Sequence, residues 1–257
     1  MIPNITIGAQ TISAYLICTL IGAFAAGILT IRKTDKDYDM EWLTVLLWSA
    51  PGLIIGGHLL YAITNLTNII AAIKAGAGWF TVLSYFSGNV FYGGMIGGLL
   101  SAVIYCKIAH IDYRKYTNNG ALFIPLFHVF GRIGCFLSGC CFGMECSVGF
   151  VYKYSLIESA NHVRRFPIQL VEAAGNLIIF LVLYHLFNKN KKNLLSLYFV
   201  LYSILRFTTE FFRGDDYRGF LFSLSTSQII SVILLIAGVV SLAAAYKKRH
   251  SKPQNQV

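Results

Sequence analysis

The sequence predicts an all-α, polytopic membrane protein of about seven transmembrane helices, with the N-terminus outside and the C-terminus cytoplasmic. Three observations carry that reading. Of 257 residues, 56% are apolar and only 12% charged, whereas soluble domains carry about 25% charged residues. The mean hydropathy of +0.63 excludes disordered, collagen-like and disulfide-scaffold chains. The basic residues behind the net charge of +10 sort to alternate connecting segments, a pattern that orients a chain in a bilayer and not a nucleic-acid footprint.

Crossing the hydrocarbon takes about 20 apolar residues, and stretches of that order lie at roughly 11–31, 42–63, 88–106, 121–139, 167–187, 194–212 and 225–246. No Lys or Arg precedes Arg32, so the first stretch lacks the basic region of a cleaved signal and is expected to remain as a span. Ile17 stands before Cys18 where a lipoprotein signal needs a small residue, so the chain is not expected to be a lipoprotein itself. The second and third spans carry the glycine runs GLIIGG at 52–57 and GGMIGG at 93–98, which read first as helix-packing surfaces. The fourth and sixth each contain an arginine, Arg132 and Arg206. The fifth opens on Pro167, a residue suited to a helix start. The seventh leads into KKRHSKPQNQV, a solvated cytoplasmic end. Segments 64–87 and 140–166 form the external connections, and residues 1–257 read as a single transmembrane domain.

The segments after spans one, three, five and seven hold thirteen of the 21 basic residues and the opposite segments six, Arg132 and Arg206 being intramembrane. Positive residues favour the cytoplasm, which sets the orientation. At that orientation the polar side chains of the spans fall in the outer half: Tyr15, His58, Tyr61, Asn89, Tyr92, Arg132, Gln169, Glu172, Arg206, Glu210 and Gln228. An intramembrane charge is costly and marks a site by default. Two arginines suit a phosphate ester, because guanidinium matches phosphate oxygens and stays charged in low dielectric. An anionic lipid head group is therefore the expected ligand. Arg206 and Glu210, spaced i, i+4, can equally form a structural ion pair, His58 a satisfied interior histidine, and Tyr15 and Tyr61 interface aromatics.

The stretch GRIGCFLSGCCFG at 131–143 resembles the GRxGNFxNGExxG signature of bacterial prolipoprotein diacylglyceryl transferases. YGGMIGG at 92–98, FPIQLVE at 166–172, RFTTEFFRGDD at 206–216 and STSQIIS at 225–231 resemble that family's HGGxxG, HPxQLYE, RFxxEFxRxPD and SMGQxLS segments, in the same order. The resemblance implies transfer of the diacylglyceryl group of phosphatidylglycerol to the lipobox cysteine of a prolipoprotein at the outer face of the bacterial cytoplasmic membrane, releasing glycerol 1-phosphate. It implies no cofactor. By position it makes Arg132, Arg206 and Glu210 catalytic, with Tyr92 and His58 as further catalytic candidates, and Tyr15 and Gly143 part of the phosphatidylglycerol site; Gln169 and Glu172, at the same depth, are expected to join that site with the two arginines.

Several positions depart from the family pattern. Tyr92 stands for the HGG histidine, Cys135 for an asparagine, Cys140 for a glutamate, His58 for a second-span arginine and Asn118 for an aspartate. A tyrosine of pKa about 10 is a poor base at neutral pH, so proton transfer passes to His58 or Glu210, or electrostatics alone carries the reaction. Alternatives are a relative with a different acceptor, or a lipid-binding or transport protein without chemistry. Cys135, Cys140, Cys141 and Cys146 lie on the external side, where an oxidising environment permits a disulfide. Their spacing is not a standard zinc pattern, and the expected reading is small buried fillers, with no metal.

Overall fold

The computed structural model describes residues 3–7, 10–88, 90–155, 157–215, 220–221 and 224–250; Asn89, Arg218 and Lys252 lie outside the described residues. Strands β1 (Asn4–Ile7) and β2 (Gln10–Ser13) form an antiparallel ribbon with Ile5 opposite Ile12 and Thr6 opposite Thr11. Paired β-branched residues favour that ribbon, so helix α1 (Ala14–Arg32) starts later than its apolar stretch. It is followed by α2 (Asp39–Thr64), and the segment at 64–87 then forms two helices that the sequence reading did not foresee, α3 (Leu66–Lys74) and α4 (Trp79–Ser84). Helices α5 (Phe91–Ile108), α6 (Thr117–Ser138), α7 (Ile168–Asn188), α8 (Leu194–Glu210) and α9 (Thr226–His250) match the remaining expected spans. Among the described residues six helices, α1, α2, α5, α6, α7 and α9, are long and apolar enough to cross a membrane. Helix α8 is the expected span that falls short, being 17 residues long and carrying Arg206 and Glu210 near its C-terminus.

The chain divides into two units, one running from Ile31 to Tyr116 and the other taking α1 up to Thr30 together with everything from Thr117 onward. In the first unit α2 packs along α5 through glycine. A methyl group at Gly56 would lie 2.3 Å from the Gly93 carbonyl oxygen, and one at Gly97 would lie 2.2 Å from that of Gly52, so the backbones touch directly. The glycine runs are therefore packing surfaces, as expected, and aromatic stacks extend the seam, with Trp48 5.4 Å from Tyr105 and Trp42 5.6 Å from Tyr116.

In the second unit α7 packs against α6 and α8, and α8 against α9. Asn118, at the start of α6, accepts from the Leu194 backbone N–H and donates to the Lys191 carbonyl, supplying an acceptor at the otherwise open start of α8. Helix α1 comes close to α6 at Gly134, where a methyl would meet the Tyr15 Cα at 3.2 Å. Strand β3 (Glu145–Val151) pairs with β4 (Arg164–Arg165), and β5 (Phe220–Leu221) with β6 (Leu224–Ser225).

Candidate functional site

The polar residues of the second unit converge on Glu172, one turn into α7 and only 2% exposed. Its Oε1 lies 3.0 Å from Arg206 Nη1 of α8 and accepts from the Thr209 hydroxyl at 3.2 Å, and its Oε2 lies 2.9 Å from Arg132 Nε of α6. Arg206 is held at both ends: Nη2 is 2.5 Å from Glu210 Oε2 and donates to Ser227 of α9 at 3.0 Å. Four helices are thus tied by two arginines and two carboxylates whose charges cancel, the condition under which burial of ions is tolerable.

Arg132 is held differently. Beside that ion pair, its Nε–H donates to His128 Nε2 at 3.3 Å, one helical turn earlier, which requires that nitrogen to be unprotonated. No hydrogen bond from its two terminal amino groups to a described residue occurs, so the planar fork is anchored on one edge and available on the other. The same residues, with Asn176, Tyr202 and Leu205, line one narrow crevice. Asn176 Nδ2 donates to the Glu172 carbonyl at 2.8 Å, while its Oδ1 is buried without a partner among the described residues. A guanidinium edge beside an orphaned acceptor can hold a tetrahedral oxyanion that also carries a hydroxyl group.

At its C-terminus α6 stops on Gly139, in left-handed conformation at φ 72. The Cys140 N–H bonds the Cys135 carbonyl and the Gly139 N–H that of Phe136, the paired bonds of a glycine-terminated helix cap. That cap sets Cys140 against Cys135, and Cys141, also left-handed at φ 54, adds a third thiol; the three sulfurs lie within 4.8 Å of one another. Hydrogen bonds from Cys135 and Cys140, aided by Arg213 and Arg132, hold the Cys141 thiol well below its usual range. The bond to Cys135 pulls Cys140 down, but its bond to Cys141 and burial outweigh that and leave it at about 12. All six cysteines are free thiols, and Cys146 lies apart on β3, bonded to the Val148 carbonyl.

The loop beyond is closed by backbone. Gly143 bridges Arg213, and a methyl on it would stand 2.3 Å from the Phe166 carbonyl oxygen, so only glycine fits. Arg213 pairs with both carboxylate oxygens of Asp215. Gln169 Nε2 donates to the Cys140 carbonyl at 2.8 Å and to the Tyr152 hydroxyl at 2.9 Å.

A model of the prolipoprotein diacylglyceryl transferase family matches residues 4–244. The chain belongs to that family. Among relatives named phosphatidylglycerol–prolipoprotein diacylglyceryl transferase, that of Clostridium tetani is 33% identical over 85% of this chain and 87% of its own length. That of Campylobacter hominis is 37% identical over 87% and 82%. Membership makes the chain a transferase of lipoprotein biosynthesis, and its apolar helices make it a multi-pass membrane protein.

Of the residues singled out in the sequence, Arg132, Glu172, Arg206 and Glu210 meet in one network, and Tyr15, Gln169 and Gly143 occupy the same unit at its edge. His58 and Tyr92 belong to the other unit, where His58 Nδ1 lies 2.7 Å from the Gly88 carbonyl oxygen and Tyr92 is buried. The sequence reading overlooked His128, Asn176, Thr209 and Ser227 as members of the cluster. Two carried a signal: His128 stands four residues before Arg132, and Asn176 four after Glu172, each on the same helix face as its charged neighbour.

Proposed function

We propose that this chain transfers the diacylglyceryl group of phosphatidylglycerol to the lipobox cysteine thiol in the signal peptide of a prolipoprotein. Glycerol 1-phosphate is released at the outer face of the bacterial cytoplasmic membrane. The observation that carries the reading is Arg132, buried, oriented by Glu172 and His128, and presenting an unengaged guanidinium edge to the pocket.

In this mechanism Arg132 takes two oxygens of the lipid phosphate and stabilises the charge that develops as the glycerol phosphate departs. Such preorganised stabilisation in a water-poor site is worth about 10²–10³ in rate per donor. Arg206, engaged on both sides by carboxylates, positions Glu172 and through it Arg132, while Glu210 neutralises Arg206. The Asn176 Oδ1 accepts from a head-group hydroxyl. Gly143, Gln169 and Tyr15 shape the external mouth. His58 and Tyr92 enter as candidates for proton transfer on the strength of the sequence resemblance.

Purified protein given phosphatidylglycerol and a lipobox peptide releases glycerol 1-phosphate and adds the diacylglyceryl mass to the peptide cysteine. Arg132→Lys keeps the charge but loses the fork, and lowers turnover by about 100-fold. Absence of product with the unaltered protein removes the proposal. The cysteines at positions where the family pattern has asparagine and glutamate favour one second reading, a relative with a different acceptor. On that reading the chain consumes phosphatidylglycerol yet fails to rescue cells depleted of their own transferase.

A further inference from the structure

Three thiols on α6 and the loop after it are not used by the transfer as described, and their construction points to a ligand. The helix cap places Cys135 and Cys140 side by side, and Cys141 completes the triangle from a left-handed backbone at φ 54. That conformation is uncommon for a residue with a side chain and persists where surroundings enforce it. The mutual spacing within 4.8 Å accommodates the separation of about 3.8 Å between sulfurs bound to one tetrahedral zinc at about 2.3 Å each. Gln169 Nε2 donates to the Cys140 carbonyl at 2.8 Å and fixes the backbone there.

We propose that Cys135, Cys140 and Cys141 bind a zinc-class thiophilic divalent cation whose open fourth position takes the acceptor thiol. Three protein ligands and one exchangeable position define a reactive rather than a closed structural site. The proposal rests on the transfer reaction above and supplies its missing activation step. On coordination the acceptor S–H gives its proton to solvent, since a metal-bound thiol is deprotonated outright. The bound thiolate then attacks the glycerol carbon that carries the phosphate ester. The new S–C bond forms as the C–O bond breaks, and the electron pair leaves on the phosphate held by Arg132. A base is not required, in a chain with Tyr92 at the position of the family histidine.

The test uses the full chain, reduced, stripped of metal and held in nanodiscs under anaerobic conditions, with Co²⁺ as the probe. The expected result is uptake of one Co²⁺ per chain with a thiolate charge-transfer band. The band strengthens when a cysteine-containing lipobox peptide is added and does not respond to its serine analogue. Cys141→Ser weakens uptake by about 100-fold or more, while Cys106→Ser binds as the unaltered chain does. Because a variant can misfold, the unaltered protein is also alkylated with and without Zn²⁺ and mapped by mass spectrometry, Zn²⁺ shielding Cys135, Cys140 and Cys141 but not Cys146. Failure of uptake, uptake insensitive to Cys141→Ser, alkylation of the three thiols unaffected by Zn²⁺, or a disulfide among them overturns the site. Uptake without response to the peptide thiol overturns the open position. A metal centre that forms and responds to the peptide, in a protein that releases no glycerol 1-phosphate, counts against the transfer reaction and leaves the metal site standing.

Discussion

Individual residues show how one carboxylate organises the site. Glu172 touches both arginines, so a single side chain on α7 fixes groups from α6 and α8 that are 74 positions apart in sequence (132 and 206). The Arg206–Glu210 pair was legible from its i, i+4 spacing. The bridge through Glu172 was not, because nothing in local spacing says which helix faces which. Asn176 illustrates the same limit, since an orphaned Oδ1 appears only once its surroundings are known. Replacing it by leucine (Asn176→Leu) removes the acceptor offered to a head-group hydroxyl. It is expected to raise the KM for phosphatidylglycerol about tenfold or more, with smaller effect on a phospholipid lacking head-group hydroxyls; a substrate series measures this. The thiols differ in their proton affinity. In the reduced, metal-free protein Cys141, held well below its usual range, is expected to react with iodoacetamide at lower pH than Cys140, which is raised to about 12. The thiolate is the reacting species, so the contrast narrows only as pH rises toward the Cys140 value. Mass spectrometry across pH gives the comparison.

At the level of elements, most helices follow from apolar length, and the exceptions have physical causes. The ribbon of β1 and β2 takes residues that hydropathy alone assigned to the first span, because β-branched residues pair between the two strands, Ile5 with Ile12 and Thr6 with Thr11. Helices α3 and α4 escaped notice because short segments lack the length that makes periodicity informative. Helix α8 compromises between spanning and function, its charged C-terminal turn being satisfied by neighbouring helices rather than by lipid. Glycine has two meanings here, and geometry separates them. Gly56→Ala drives a methyl group into the Gly93 carbonyl and is expected to cost about 1–3 kcal/mol, seen as a lower thermal midpoint in detergent. Gly120→Ala on α6 meets nothing within 4 Å and is expected to be neutral or stabilising by up to about 1 kcal/mol. Equal effects of the two substitutions would contradict direct backbone contact between α2 and α5.

The whole molecule is a membrane protein in which Arg132, Glu172, Arg206 and Glu210 are gathered in one unit. From the thirteen-to-six asymmetry of basic residues, green fluorescent protein fused after Val257 is expected to fluoresce and alkaline phosphatase at the same junction to stay inactive. The reverse pattern inverts the topology. Sequence by itself determined the class of protein, the approximate number of spans and the identity of the four ionised residues of the network. Those properties depend on composition, local spacing and the cost of placing charge in hydrocarbon, all of which are written residue by residue. Only the tertiary structure decided that Glu172 is the hub, that one edge of Arg132 is unengaged among the described residues, and that three cysteines six positions apart at most form a triangle. These depend on which helix faces meet and on a cap that folds the chain back on itself, relations between distant backbones that linear spacing does not encode.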